Sequence, residues 1–208
     1  MSKIKICGLF RECDIDYVNE AMPDYAGFII NFSKSHRNIS PTNVGELRNK
    51  LRPEIKAVGV FVNQSIESVC WIAKETNLDV VQLHGDEDNR YVQRLRDRMK
   101  QEIETPPVIW KAFKIQSKRD LEKAESSVAD EVLLDNGYGT GETFDWSRAE
   151  AFEREFILAG GLTPENIPEA ILRLHPVGVD ISSGVETGHF KDREKILAAV
   201  RAARGEGE

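Results

Sequence analysis

The sequence has no long apolar run. None of its hydrophobic stretches approaches the roughly 20 consecutive residues that span a bilayer. The start, MSKIKICGLF, lacks the apolar centre of a signal peptide, and charge returns at Arg11 and Glu12. The expectation is a cytoplasmic protein with no membrane contact. Cysteine is scarce: Cys7, Cys13 and Cys70 are odd in number and widely spaced, which argues against a disulfide framework. No C-x-x-C or H-E-x-x-H pattern occurs, and the four histidines, His36, His84, His175 and His189, are scattered, so no metal is expected. Basic clusters are absent too. With 28 Lys+Arg against 35 Asp+Glu the chain carries a net charge of −7, a poor basis for nucleic-acid binding, which needs grouped cations. No G-x-G-x-x-G follows the first apolar run, which removes the usual dinucleotide fingerprint.

What the chain does contain is alternation. Its 208 residues, 40% of them hydrophobic, suit one globular domain, 1–208. Short β-branched runs at Lys3–Cys7, Tyr25–Ile30, Ile55–Val62, Asp79–Leu83, Val108–Phe113, Glu131–Asp135, Phe156–Ala159 and Val177–Ile181 are each followed by a helix-like stretch. Ser40-Pro41, Ser65, Ser117 and Thr163-Pro164 read as helix starts, with a capping side chain or a proline at the first helical position. Trp146–Glu153 reads as a short helix, and Lys191–Arg204 as the last one. Strands apolar on both faces, with no two-residue hairpin signal, predict a parallel sheet covered by helices. Eight β/α units in this length favour a closed (β/α)8 barrel, whose lower size limit is about 200 residues. A doubly wound open sheet is the competing arrangement.

In a barrel, active sites lie at the C-terminal ends of the strands. The reactive and polar residues there are Cys7, His84 with Gln82, Asp135, and two glycine-rich turns, Gly160-Gly161 and Ser182-Ser183-Gly184. The loops after strands seven and eight of such barrels frequently hold phosphate, because glycine lets the backbone approach and free N–H groups attract an anion. A phosphorylated small molecule is therefore the expected ligand. Cys7 shares a strand face with Lys5, where it is a nucleophile, a base or an inert buried thiol. Asp135 follows three apolar residues, where it caps, pairs or acts as an acid of raised pKa. A thiolate base and a carboxylic acid across one mouth would suit a proton-shuttling isomerisation that needs no cofactor.

Several motifs together carry a resemblance. They are Lys5-Ile6-Cys7-Gly8, Gly59-Val60-Phe61-Val62-Asn63, Val81-Gln82-Leu83-His84-Gly85, Leu134-Asp135, Gly139-Thr140-Gly141 with Thr143-Phe144-Asp145-Trp146, Leu158-Ala159-Gly160-Gly161-Leu162 with Pro164-Glu165-Asn166, and Val179-Asp180-Ile181-Ser182-Ser183-Gly184-Val185-Glu186. In order and spacing the chain resembles the phosphoribosylanthranilate isomerases of tryptophan biosynthesis. The resemblance implies a single (β/α)8 barrel and a cofactor-free Amadori rearrangement of N-(5-phosphoribosyl)anthranilate to 1-(o-carboxyphenylamino)-1-deoxyribulose 5-phosphate. It assigns Cys7 as general base and Asp135 as general acid. Arg37 matches the arginine that meets the anthranilate carboxylate, and Gly160, Gly161, Ser182, Ser183 and Gly184 match the phosphate loops. Gln82 and His84 are expected to line the mouth, His84 either touching the substrate or standing behind the residues that do. Asp180 is expected in the substrate site and paired with Lys5 in the barrel interior, since neither charge should be buried alone. The expected assembly is a monomer or a homodimer.

The chain departs from the family pattern at Asn31-Phe32-Ser33, where an aromatic-proline pair is common, at His36, and at Glu142, where many relatives carry lysine. These positions bear on substrate affinity and loop closure. A related synthase barrel would need a lysine acid and a glutamate at strand ends, and two-substrate isomerases place aspartates on both sides; the first strand here ends in Cys7. A phosphate-binding sensor would need neither Cys7 nor Asp135.

Overall fold

The computed structural model describes residues 2–135 and 146–205. The eight β-rich runs form strands β1 (Lys3–Cys7), β2 (Tyr25–Ile30), β3 (Lys56–Phe61), β4 (Val80–Leu83), β5 (Val108–Lys114), β6 (Glu131–Asp135), β7 (Phe156–Ala159) and β8 (Gly178–Ile181). Each pairs in parallel with the next. Closure comes from β1, where Lys5 sits opposite Tyr25 of β2 on one side and Asp180 of β8 on the other. The open sheet is thereby excluded.

Helices α1 (Glu12–Ala21), α2 (Pro41–Arg48), α3 (Ile66–Glu75), α4 (Asn89–Glu102), α5 (Lys118–Glu125), α6 (Ile167–Leu174) and α7 (Arg193–Arg204) cover the outside. Their starts follow the capping chemistry. Ser40 accepts from the Asn43 amide and Ser65 from the Ser68 amide, both at 3.2 Å, and Ser117 with Asp120 closes a capping box. The last helix starts later than expected because Asp192 caps it through the amides of Glu194 and Lys195, and Lys191 instead joins a two-residue antiparallel pairing with Glu186–Thr187.

Two expectations need correction. Thr163 does not cap the helix after β7. Asn166 Oδ1 accepts from the Thr163 amide at 2.8 Å while Asn166 Nδ2 donates to the Gly161 carbonyl at 3.0 Å. Those bonds fold 163–166 into a turn, and α6 begins at Ile167 with Asn166 as its cap. The stretch from Trp146 makes only a 3₁₀ turn, Trp146–Arg148. Phe152 instead packs edge-on against Phe156 of β7, with ring centroids 5.6 Å apart.

Strand alternation splits the core in two. Outward residues such as Ile4, Ile6, Phe28, Val81 and Leu134 meet the helices. Inward residues Tyr25, Val58, Val80, Trp110, Ala112, Leu133 and Ile157 fill the barrel itself. Tyr25 and Trp110 meet edge-to-face at 4.8 Å. This apolar plug fills the barrel between Lys3 and Glu131 at its N-terminal end and the polar groups that face inward at its C-terminal end.

Candidate active site

The inward set, followed up each strand, ends in polar groups. On β1 it runs Lys5, Cys7; on β4 Val80, Gln82; on β6 Leu133, Asp135; on β8 Gly178, Asp180. The Lys5 ammonium meets Asp180 Oδ2 at 2.8 Å, as expected for two charges in one barrel interior, and both are buried. Burial by itself would lower the Lys5 pKa; Asp180 and Cys7 together outweigh it, and the group sits above its ordinary value. Asp180 Oδ1 is buried with no hydrogen-bond partner among the described residues.

Cys7 sits just beyond this pair, 7% exposed. Gly27 on β2 makes room for it: a Cβ there would lie 3.1 Å from both Cys7 Sγ and Lys5 Nζ. Burial pushes the Cys7 thiol up, the Lys5 and Lys191 ammoniums pull it down, and Asp180 adds to the rise. The thiol therefore lies above its usual range at rest, with two cations close enough to favour the thiolate.

On the opposite wall Gln82, His84 and Asp135 form a chain. Gln82 Nε2 lies 3.2 Å from His84 Nδ1, and His84 Nε2 lies 3.0 Å from Asp135 Oδ2. If the Gln82 amide donates to Nδ1, His84 carries its proton on Nε2 and donates it to the Asp135 carboxylate. Gln82 does not line the open mouth as expected; it is fully buried, because its position on β4 continues the inward apolar set. His84, half-exposed, does reach open space. It borders a cavity of about 700 Å³ over the ends of β3, β4 and β5, with Lys111 and Phe113 further along its wall.

Arg37 lies across from β8. Its Nε and Nη2 donate to Glu186 Oε1 and Oε2 at 2.6 and 2.7 Å, a two-point grip. Its methylenes pass directly over Gly8, where φ is +80° and a Cβ would overlap Arg37 Cδ. Lys191 Nζ donates to the same Glu186 at 2.7 Å and to the Ser182 carbonyl at 2.8 Å. Burial pulls the Glu186 carboxyl up, but the Arg37 hydrogen bonds and the Lys191 charge outweigh it and hold the group at about 2. His36 stands near Glu186 at 3.9 Å, half out in solvent, its pKa lowered by partial burial and by Arg37.

The two glycine turns come together beside this cluster. Gly160 and Gly161 have φ of +89° and +66°. Gly184 lies so close to the Leu162 carbonyl oxygen that a Cβ would overlap it, so the β7 and β8 loops touch backbone to backbone. Ser182 donates its hydroxyl to the Cys7 carbonyl at 3.1 Å, tying the end of β8 to the end of β1. Ser183 is half-buried at the start of a short 3₁₀ turn, Ser183–Val185.

A profile of the N-(5'-phosphoribosyl)anthranilate (PRA) isomerase family matches residues 4–202. The chain belongs to the PRA isomerase family. An N-(5'-phosphoribosyl)anthranilate isomerase of Acetivibrio thermocellus is 45% identical over 99% of this chain and 98% of its own. A crystal structure of a PRA isomerase in complex with reduced 1-(o-carboxyphenylamino)-1-deoxyribulose 5-phosphate superposes with a TM-score of 0.84 at 34% identity, covering 99% of this chain and all of that one. Monomers of the dimeric PRA isomerase from Thermotoga maritima give a TM-score of 0.85 at 35% identity, with 99% and 100% coverage. Membership makes this protein an isomerase.

Two parts of the site escaped the reading of the sequence. Glu186 stood inside the Ser-Ser-Gly motif with no role attached, and Lys191 looked like the first residue of a surface helix. Its inward turn follows from the short pairing with Glu186, which no periodicity announces. The loop 136–143, Glu142 and the Gly139-Thr140-Gly141 motif lie outside the described residues.

Proposed function

We propose that Cys7 is the general base and Asp135 the general acid in the isomerisation of N-(5'-phosphoribosyl)anthranilate, the reaction of the family to which the chain belongs. The Asp135 carboxyl protonates the ribose ring oxygen as the C1'–O bond breaks, and the anilino nitrogen lone pair forms the Schiff base. The Cys7 thiolate then takes the proton from C2', giving an enolamine that tautomerises to the ketone. Atoms balance without a redox partner, because the substrate nitrogen supplies the electron sink. The observation that carries the reading is that Cys7 and Asp135 end the inward sets of β1 and β6 in one closed barrel, with the Lys5 and Lys191 ammoniums beside the thiol.

Arg37 binds the anthranilate carboxylate, where a planar guanidinium suits paired hydrogen bonds. Gly160, Gly161, Ser182, Ser183 and Gly184 hold the phosphate, the glycines by letting the backbone approach. Asp180 and His84 complete the substrate pocket, and Gln82 acts behind His84. The reaction runs in the cytoplasm, in one barrel domain, 1–208, working as a monomer or homodimer. Overall acidity is no obstacle: the anion is met by local N–H groups and Arg37 rather than by net charge.

The test is the loss of fluorescence from freshly made phosphoribosylanthranilate, with Cys7→Ser and Asp135→Asn alongside. Both variants are expected to lose about 10²-fold or more in kcat, the scale of a positioned acid or base. Unchanged activity in Asp135→Asn removes the acid assignment, and an inactive wild type removes the whole reading.

A further inference from the structure

Arg37, Glu186 and Lys191 form a three-charge cluster whose sum matters as much as its geometry. Glu186 takes the Nε–Nη2 edge of Arg37 with both its oxygens, leaving the Nη1 side of the guanidinium to face elsewhere. A lone Arg–Glu pair would be neutral, and an incoming carboxylate would have to compete with Glu186 for the same cation. Lys191 changes that. Its side chain is buried, and its ammonium meets Glu186 Oε1 at 2.7 Å, the Ser182 carbonyl at 2.8 Å and Ser182 Oγ at 3.4 Å. Three acceptors saturate three N–H donors, which pins the charge in place. Two cations now share one anion.

The other groups around Glu186 leave that sum intact as long as Cys7, which Lys191 also faces, is a neutral thiol. The His36 pKa is lowered, which keeps the ring neutral near pH 7. The exposed Lys195 donates to the Glu186 backbone carbonyl at 2.7 Å rather than to the carboxylate.

We propose that Lys191 is a positioning residue for carboxylate recognition: by neutralising Glu186, it lets Glu186 orient Arg37 while the cluster keeps a net positive charge for the carboxylate of an aromatic-amine aminoaldose phosphate. The inference rests on Arg37 being the carboxylate contact, and it explains how an arginine already gripped by an acid still attracts an anion. Lys191 also faces Cys7, so a change in rate by itself would not isolate this role. A substrate preference does isolate it.

The experiment compares kcat/KM for N-(5'-phosphoribosyl)anthranilate with that for the carboxylate-free aminoaldose formed from aniline and ribose 5-phosphate. Any effect on Cys7 touches both substrates and cancels in the ratio. In Lys191→Met the preference for the carboxylate is expected to fall roughly tenfold, the scale of one screened unit charge within about 10 Å. In the double variant Glu186→Gln/Lys191→Met the net charge returns, and most of the preference is expected to return with it. A merely structural role predicts the opposite, a double variant at least as poor as the single. Lys191→Gln, which keeps a hydrogen bond to the Ser182 carbonyl without the charge, reads the same ratio if Lys191→Met does not fold. Arg37→Ala separates the two levels. If it keeps the preference, the carboxylate assignment fails. If it abolishes the preference while Lys191→Met and Lys191→Gln leave it unchanged, or while the double variant fails to recover, the role of Lys191 is overturned.

Discussion

The charged pair at the heart of the barrel makes a quantitative prediction. Lys5 and Asp180 stand 2.8 Å apart, and at an effective dielectric of about 20 two unit charges at that distance attract by about 6 kcal/mol. Most of this offsets the cost of taking both ions out of water, so the intact pair adds little net stability. Removing one partner is different. Asp180→Asn leaves the Lys5 ammonium, 1% exposed, without its anion and is expected to destabilise the fold by about 3–5 kcal/mol. Lys5→Met strands the Asp180 carboxylate with a similar penalty. The double variant Lys5→Met/Asp180→Asn strands no charge, so it should lose much less than the sum, with a coupling of about 2–3 kcal/mol. Urea denaturation at pH 7 measures all four proteins in the absence of substrate. The pH dependence gives a second check. The Lys5 pKa is raised in the folded state, so its contribution is fully present below its unfolded pKa and is lost as pH rises through the folded one. The wild type should therefore hold this stability through neutral pH and lose it only in the alkaline range. Additive single-variant effects, within about 0.5 kcal/mol, would refute the reasoning, because uncoupled residues cannot be compensating each other's buried charge.

Three further outcomes follow from the site. Gly8→Ala adds a Cβ where Arg37 Cδ lies and forces a left-handed backbone on alanine, at about 1–2 kcal/mol. KM for the carboxylate-bearing substrate is expected to rise several-fold more than kcat falls, and steady-state kinetics showing an unchanged KM would contradict the packing of Arg37 on Gly8. Glu186 is held down at about 2, so its stabilising contribution is present above its unfolded pKa and fades as pH falls through about 2; acid denaturation should be steeper in the wild type than in Glu186→Gln between about pH 4.5 and 2, and identical curves would count against the cluster. Burial, with Glu102 beside it, pushes the Cys70 thiol up to about 11, whereas Cys13 is partly exposed. Peptide mapping after iodoacetamide treatment at pH 8 should find Cys13 modified and Cys70 protected; the reverse order would be at odds with this packing.

The strands were legible because burial on both faces leaves short apolar runs, which their length, β-branched residues and flanking turn residues separate from helices. The capped helices were legible where the cap is local, as at Ser40, Ser65 and Ser117. Thr163 misled for the same reason. Its capping signal is genuine, but Asn166 three residues on makes two hydrogen bonds that fold the segment as a turn. Gln82 was placed correctly on its strand and wrongly in the mouth, since its depth depends on where the apolar plug of Tyr25, Trp110 and Leu133 stops.

By itself the sequence determined the eight-unit alternation, the strand-end positions of Cys7 and Asp135, and the glycine turns after β7 and β8. These are local properties, set by side-chain periodicity and by backbone freedom at single residues. The pairing of Lys5 with Asp180 was also within reach, because a closed barrel must bring β1 and β8 together and two buried charges must meet. Only the tertiary structure decided that Arg37 is gripped by Glu186, that Lys191 turns inward to neutralise it, and that His84 bonds Asp135. Those contacts join residues 149, 5 and 51 positions apart, and over most of that span no local propensity records which charge will face which once the barrel closes.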